Sequence, residues 1–201
     1  VVNFGYKFFT SVGHTVHDVF QTAMHNYSGV TMLDDYVCKK CKHRVALSGE
    51  PVEECPKCGH SEMKRDEHEI SWMGALGHID NVLLVSKTGK RRSVFVLDYK
   101  TTSVASVGSK VDPPGYLAQL SSYAAGISEY KNLDVLGYGL VYVPRDNPFK
   151  FRISSYRQDE RTKAFAVRRM TKWVKDFEIA SQVVSLKDAL KLIDNRPCVE
   201  K

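Results

Sequence analysis

The sequence predicts a mixed α/β domain carrying a small cysteine-rich insert, and three observations lead there. Apolar residues recur at three- and four-residue steps near the start, over residues 114–130 and again over 158–178. Between these stretches, β-branched and aromatic residues alternate over 71–102 and 135–156. Four of the five cysteines fall in one 21-residue stretch, from Cys38 to Cys58. Helices interleaved with strands indicate a mixed core flanked by helices, not a bundle or a sandwich. A chain of 201 residues matches one compact domain with an insert and leaves no room for two full-sized domains. With 43% apolar and 26% charged residues it is no disordered polymer.

The elements follow in order. Val12, Val16, Val19, Phe20, Ala23 and Tyr27 form one stripe, so residues 11–27 read as an amphipathic helix capped by Thr10 or Ser11, with His17 at the stripe's border. Residues 1–32 are assigned to the core, 33–66 to the insert and 67–201 to the remainder of the core. The insert, rich in Lys, Glu and Gly, has too few apolar residues to hold itself folded without help. Residues 71–85 and 91–102 read as two adjacent strands joined by a turn at 87–90, and 103–112 as a loop. Pro113-Pro114 opens a helix to about residue 130, with Leu117, Leu120, Ala124 and Ile127 as its apolar line. Residues 135–144 read as a buried strand with 149–156 as its neighbour. Val167, Met170, Val174 and Phe177 mark a basic helix over 158–178, and a short helix is expected over 186–193.

A charge of +6 and a pI near 9.0 favour a polyanionic partner, nucleic acid before an acidic protein surface. No run of about 18 apolar residues occurs, and the first residues lack the build of a secretion signal. A soluble intracellular protein is expected, cytoplasmic or nucleoid-associated, with no membrane partner.

The cysteines follow the pattern C-x2-C, thirteen residues, C-x2-C: Cys38, Cys41, Cys55 and Cys58. Two-residue spacing lets both thiolates of a knuckle turn toward one tetrahedral ion, and this points to Zn2+ as a structural staple ahead of an iron–sulfur cluster. A closed four-thiolate shell leaves no position for catalysis, and His43 and His60 nearby are not needed. Cys198 stands apart.

In a strand, alternate residues share a face, so Asp98 and Lys100 project together about 6–7 Å apart. Gly77-His78-Ile79-Asp80 supplies a second carboxylate from an apolar context. Converging carboxylates repel unless a cation lies between them, and oxygen-rich sites suit Mg2+ or Mn2+. Read alone, Asp-x-Lys is more often a strand-end ion pair, with Asp80 opening a turn toward Asn81. Gln119 and Tyr123, four residues apart on the following helix, lie on a face away from its apolar line and can point at one site.

Taken in order, Gly13-x-x-x-His17, Gly77-His78-Ile79-Asp80, Asp98-Tyr99-Lys100 and Gln119-x-x-x-Tyr123 resemble the RecB-type branch of the PD-(D/E)xK nuclease superfamily, over residues 13 to about 130. The resemblance implies a restriction-endonuclease-like core. It implies that His17, Asp80, Asp98 and the backbone carbonyl of Tyr99 hold a catalytic Mg2+ or Mn2+. It makes Lys100 the catalytic lysine, with Gln119 and Tyr123 orienting that lysine and the DNA backbone. His14 and His78 match no functional position. The implied activity is hydrolysis of DNA phosphodiesters leaving a 5′ phosphate, by an exonuclease acting on ends or single strands in recombination, repair or replication, cellular or virus-encoded. The chain has no phosphate-binding loop of the Gly-x4-Gly-Lys-Ser/Thr type, so unwinding falls to a helicase or recombination partner protein. A structure- or sequence-specific endonuclease is the runner-up, and a non-catalytic DNA-binding module using the cysteine ribbon is the rival from another class. Lys90, Arg91 and Arg92 near the site, with Arg157, Arg161, Lys163, Arg168, Arg169, Lys172 and Lys175 along the last long helix, are expected to track the DNA backbone, and Tyr116 to stack on a base or pack in the core. One departure stands out. Iron–sulfur members of this branch split their cysteines around the core, whereas here all four lie between His17 and Asp80, which favours zinc.

Overall fold

The computed structural model describes residues 15–16, 18–27, 29–108, 111–130 and 133–183. Helix α1 is helical over residues 15–16 and 18–26. Strands β1 (Thr31–Met32), β2 (Asp34–Cys38), β3 (Arg44–Ser48), β4 (Met63–Asp66), β5 (His68–Trp72), β6 (Ala75–Ile79), β7 (Asn81–Thr88) and β8 (Arg91–Thr102) follow. Then come α2 (Val104–Val107), α3 (Pro114–Ile127), β9 (Leu133–Pro144), a 3-10 turn at Pro148–Lys150, β10 (Arg152–Arg157) and α4 (Glu160–Val183). The main sheet has the order β1-β7-β8-β9-β10, antiparallel throughout except for the parallel pair β8/β9. A parallel pair needs a crossover, and α2 with α3 supplies it. The chain is thus a mixed α/β structure with helices on both faces of a mixed sheet.

Alternation along β8 sorts its side chains between two apolar layers. Val94 and Val96 pack with Val82 and Leu140 against Leu120, Ala124 and Ile127 of α3. Leu97 and Tyr99 face the other way, with Val141 and Val143, toward Val16, Phe20 and Met24 of α1. Outside α3 lies α4, seated through Ala166 on Ala125 and Trp72. Of the expected stripe of α4, Met170 packs against this cluster and Val174 and Phe177 are half-buried, but Val167 is not part of the contact. Ala166 is fully buried while Val167 is 38% exposed, because a helix packed closely on another buries a small residue at the contact.

The insert is a three-stranded sheet, β3-β2-β4. It is fastened to the core by polar contacts. Asp35 of β2, fully buried, accepts hydrogen bonds from His68 Nδ1 at 2.8 Å, Arg44 Nη1 at 2.7 Å and the Leu47 amide at 2.9 Å. Arg92 of β8 donates to the Leu47 carbonyl at 2.8 Å.

Several sequence expectations are corrected. The single strand expected over 71–85 is a β5/β6 hairpin followed by β7, because Met73 and Gly74, both at positive φ (48° and 79°), make a two-residue turn. The loop expected over 103–112 contains α2, capped by the Ser103 side chain on the Ser106 amide. Pro148 starts a 3-10 turn, so β10 begins at Arg152 and not at Phe149. Helix α3 stops at Ile127 and α4 runs on to Val183. Two-residue β1 was not foreseen. The caps at Thr10 and Ser11, His14, His17, Cys198 and the helix over 186–193 lie outside the described residues. Among the described residues, no helix is long and apolar enough to cross a membrane.

Candidate functional site

Pairing between β7 and β8 ends at Asn81 opposite Leu97, because the chain bends at Asp80. Beyond that point the edge of β8 has lost its antiparallel neighbour. Asp80 replaces it, accepting the Tyr99 amide on Oδ2 at 2.7 Å. A strand residue directs its N–H and C=O to one edge, so the Tyr99 carbonyl faces the side where Asp80 lies. The backbone carbonyl of Asp80 is held in turn by Gln21 Nε2 of α1 at 2.9 Å.

On the α3 face of β8, Asp98 is 3% exposed and its Oδ2 meets Lys100 Nζ at 2.7 Å. Burial gives this pair more weight than a surface ion pair, since either group left alone there would carry a large desolvation penalty. Lys100 Nζ also donates to Gln119 Oε1 at 3.2 Å, and Gln119 Nε2 donates to the Tyr123 hydroxyl at 2.9 Å. The ammonium lies 4.9 Å from the centre of the Tyr116 ring, a cation–π contact. Tyr123 can lean this far because Gly77 has no side chain: a Cβ there would meet Tyr123 Cε1 at 2.5 Å. Its phenol is pushed above the usual tyrosine range by burial, then drawn back by Gln119, and it also feels Asp98, Lys100 and Asp80. Asp98 and Lys100 thus share one face of β8, and Asp80 lies against the edge of the same strand at Tyr99, the residue between them.

Of the residues singled out in the sequence, Asp80, Asp98, Tyr99, Lys100, Gln119 and Tyr123 come together; His17 lies outside the described residues. Among the described residues no third His, Cys, Asp or Glu joins the two carboxylates. The basic turn is elsewhere. Lys90 and Arg91 sit at the opposite end of the twelve-residue β8, at about 3.3 Å per residue far from Lys100, and Arg92 is spent on the insert. Sequence reasoning passed over Gln21, one helical turn after His17, and Asn81. Asn81 is 3% exposed, and among the described residues neither its Oδ1 nor its Nδ2 has a hydrogen-bond partner.

The four cysteines form a second centre. Cys38 and Cys58 sulfurs are 3.7 Å apart, Cys41 and Cys55 sulfurs 3.6 Å, and all four lie within 4.8 Å of one another. Sulfurs about 2.3 Å from a tetrahedral ion stand about 3.8 Å apart, so the spacing fits. The two knuckles repeat one another. The amides of Cys38 and Cys55 donate to His43 and His60 carbonyls, those of Lys42 and Gly59 donate to Cys38 and Cys55 carbonyls, and Lys42 and Gly59 both have positive φ. Cys38 is drawn down to about 6 by the Cys41 amide, while Cys58, despite the pull of the His60 amide, is pushed up to about 12 by the neighbouring thiols and burial. Four thiolates so close resist ionising together without a cation.

No protein-family model, curated protein or solved structure matches the chain. The case for function therefore rests on the two centres themselves, a four-cysteine cluster able to hold a metal and a carboxylate–lysine cluster on the open edge of a sheet.

Proposed function

We propose that the chain is a metal-dependent deoxyribonuclease of the restriction-endonuclease-like fold, hydrolysing phosphodiesters at DNA ends or in single strands. The observation that carries this reading is the chain of contacts Asp98–Lys100–Gln119–Tyr123 beside Asp80, with the Tyr99 carbonyl turned to the Asp80 side. Two acids and a backbone oxygen are hard ligands, so Asp80, Asp98 and Tyr99 would hold Mg2+ or Mn2+, joined by His17. Such an ion supplies Lewis acidity toward a phosphate and a more acidic water. The protein's own groups do the rest. Lys100, held by Gln119 and flanked by Tyr116, offers its ammonium to a phosphate oxygen or takes part in proton transfer. Gln119, braced by Tyr123, holds that ammonium in position. Asp80 is kept against β8 by the Tyr99 amide and Gln21.

In the insert, the donor set is all thiolate, and Cys38, Cys41, Cys55 and Cys58 would hold Zn2+ as a structural ion. A helicase or recombination partner fits a chain that has no phosphate loop of its own. The test is incubation of labelled linear and circular DNA, single- and double-stranded, with Mg2+ or Mn2+. Loss of linear DNA with circles spared supports an exonuclease, and cut circles support the endonuclease reading. Binding without hydrolysis under either ion would refute the nuclease reading and leave a DNA-binding module.

A further inference from the structure

Phe149 is 92% exposed, more than any other large apolar side chain in the described residues. Leaving a phenylalanine in water forgoes about 1.5–3 kcal/mol of burial. The residue is nevertheless held firmly. It sits in the 3-10 turn Pro148–Lys150, where Pro148 restricts φ and the Lys150 amide donates to the Asn147 carbonyl at 3.0 Å. The stem is tied to the neighbouring loop, with the Arg145 amide on the Thr102 carbonyl at 2.9 Å and the Val104 amide on Asp146 Oδ1 at 2.9 Å. On the far side, Phe151 meets the Phe20 ring of α1 edge-on at 6.2 Å.

The place of this turn is set by register. On β9, Tyr142 stands opposite Lys100 and Pro144 opposite Thr102, so the turn begins where the parallel pair β8/β9 ends. That is the end of the sheet that carries Asp98 and Lys100, and ligands of open α/β sheets bind outside the carboxyl ends of the strands. Arg145, four residues before Phe149, and Lys150, the residue after it, are both exposed. Tyr116, 38% exposed, lies over Lys100 itself.

We propose that Phe149, with Arg145 and Lys150, is a base-stacking post that holds single-stranded nucleic acid at the rim of the Lys100 site. The inference deepens the nuclease reading and rests on it. An exposed aromatic side chain on a loop that also carries two exposed cations matches a strand in which unstacked bases alternate with phosphates. A duplex presents phosphates but keeps its base faces covered, so the post discriminates in favour of single strands or frayed ends.

The test is binding of a fluorescent oligothymidine and of a hairpin duplex of equal length, without added divalent ion, by wild type, Phe149→Ala, Phe149→Leu and Phe149→Trp. Stacking of one base is worth about 1–3 kcal/mol, so Phe149→Ala should weaken single-strand binding about 5- to 150-fold and duplex binding less than about twofold. Phe149→Leu, apolar but not flat, should lose as much as alanine, and Phe149→Trp should restore binding. Wild-type single-strand affinity in Phe149→Ala, or retention in Phe149→Leu, overturns the post. If the wild type cleaves DNA while Phe149→Ala binds normally, only the post falls. If single-strand binding depends on Phe149 but neither Mg2+ nor Mn2+ brings hydrolysis, the nuclease reading falls and the post stands.

Discussion

The cysteine insert and the carboxylate–lysine cluster are built on opposite principles. All four sulfurs come from 21 consecutive residues, and two short knuckles of the same backbone design bring them together. Leu33 and Leu47 pack into the main core instead of around the sulfurs, and the insert also leans on that core through a buried carboxylate and two arginines. The lysine cluster draws on a bend, a strand and a helix spread from Asp80 to Tyr123, and it is positioned by an apolar sheet packed on both faces. One region is organised by its ligands, the other by burial. Local spacing is enough for the first; the second exists only once the sheet has formed.

The comparison is broken most severely by depriving the four cysteines of the ion proposed for them. Structural zinc in small domains contributes about 10–16 kcal/mol, so Cys41→Ser or a strong zinc chelator should unfold residues 34–66 while β7–β9 stay protected, as read by hydrogen exchange. Equal protection of both regions after metal loss would show that the insert folds by burial. Metal analysis should find about one zinc per chain and no visible absorption; a brown, iron-containing protein would reverse the choice of ion.

Lys100→Ala should lower DNA cleavage about 10²- to 10⁴-fold with the circular dichroism of the fold retained, and Gln119→Ala should lower it by less, since that residue acts through the lysine. Undiminished cleavage by Lys100→Ala would remove the lysine from the mechanism.

The junction between the regions gives the next effect. Asp35→Ala leaves Arg44 and His68 without their buried acceptor and should cost about 3–5 kcal/mol in urea unfolding. The same carboxylate yields a pH dependence. Burial alone would raise its pKa, but the bonds from His68, Arg44 and the Leu47 amide hold it below the usual carboxylate range. A depressed folded-state pKa contributes stability that is present above about pH 3.9 and lost as pH falls through the lower folded value. Acid titration should therefore loosen the insert from the core below about pH 4, and Asp35→Asn should remove that step.

Asn81→Leu is the smallest test. Replacing two buried polar atoms that have no partner among the described residues by an apolar side chain should be neutral or stabilising by up to about 1 kcal/mol. A loss larger than that would mean Asn81 holds a partner in solution, which would enlarge the site beside Asp80.

How much of this could be read in advance depended on range. The knuckles were legible because two-residue spacing dictates geometry within a single turn. Alternation in β8 and β9 was legible too, since buried β-branched runs leave few other choices. Asp98, Lys100, Gln119 and Tyr123 could be picked out as candidates, each from its own local period. The Met73-Gly74 turn was missed because Trp72 and Ala75 continue the apolar pattern across it. The basic turn at Lys90–Arg92 was misplaced because charge and nearness in sequence say nothing about which end of a long strand a residue occupies.

By itself the sequence determined a mixed α/β core, a four-thiolate knuckle pair and a shortlist of polar residues standing in apolar strands, since period and spacing act within a few residues. Only the tertiary structure decided that β7 leaves β8 at Asp80, that Asp80 takes the vacated Tyr99 amide, and that Gln119 of α3 reaches Lys100. The reason is physical: those contacts satisfy backbone and charge left over after the sheet and its two apolar layers have packed, and no local pattern encodes which edge will be left open.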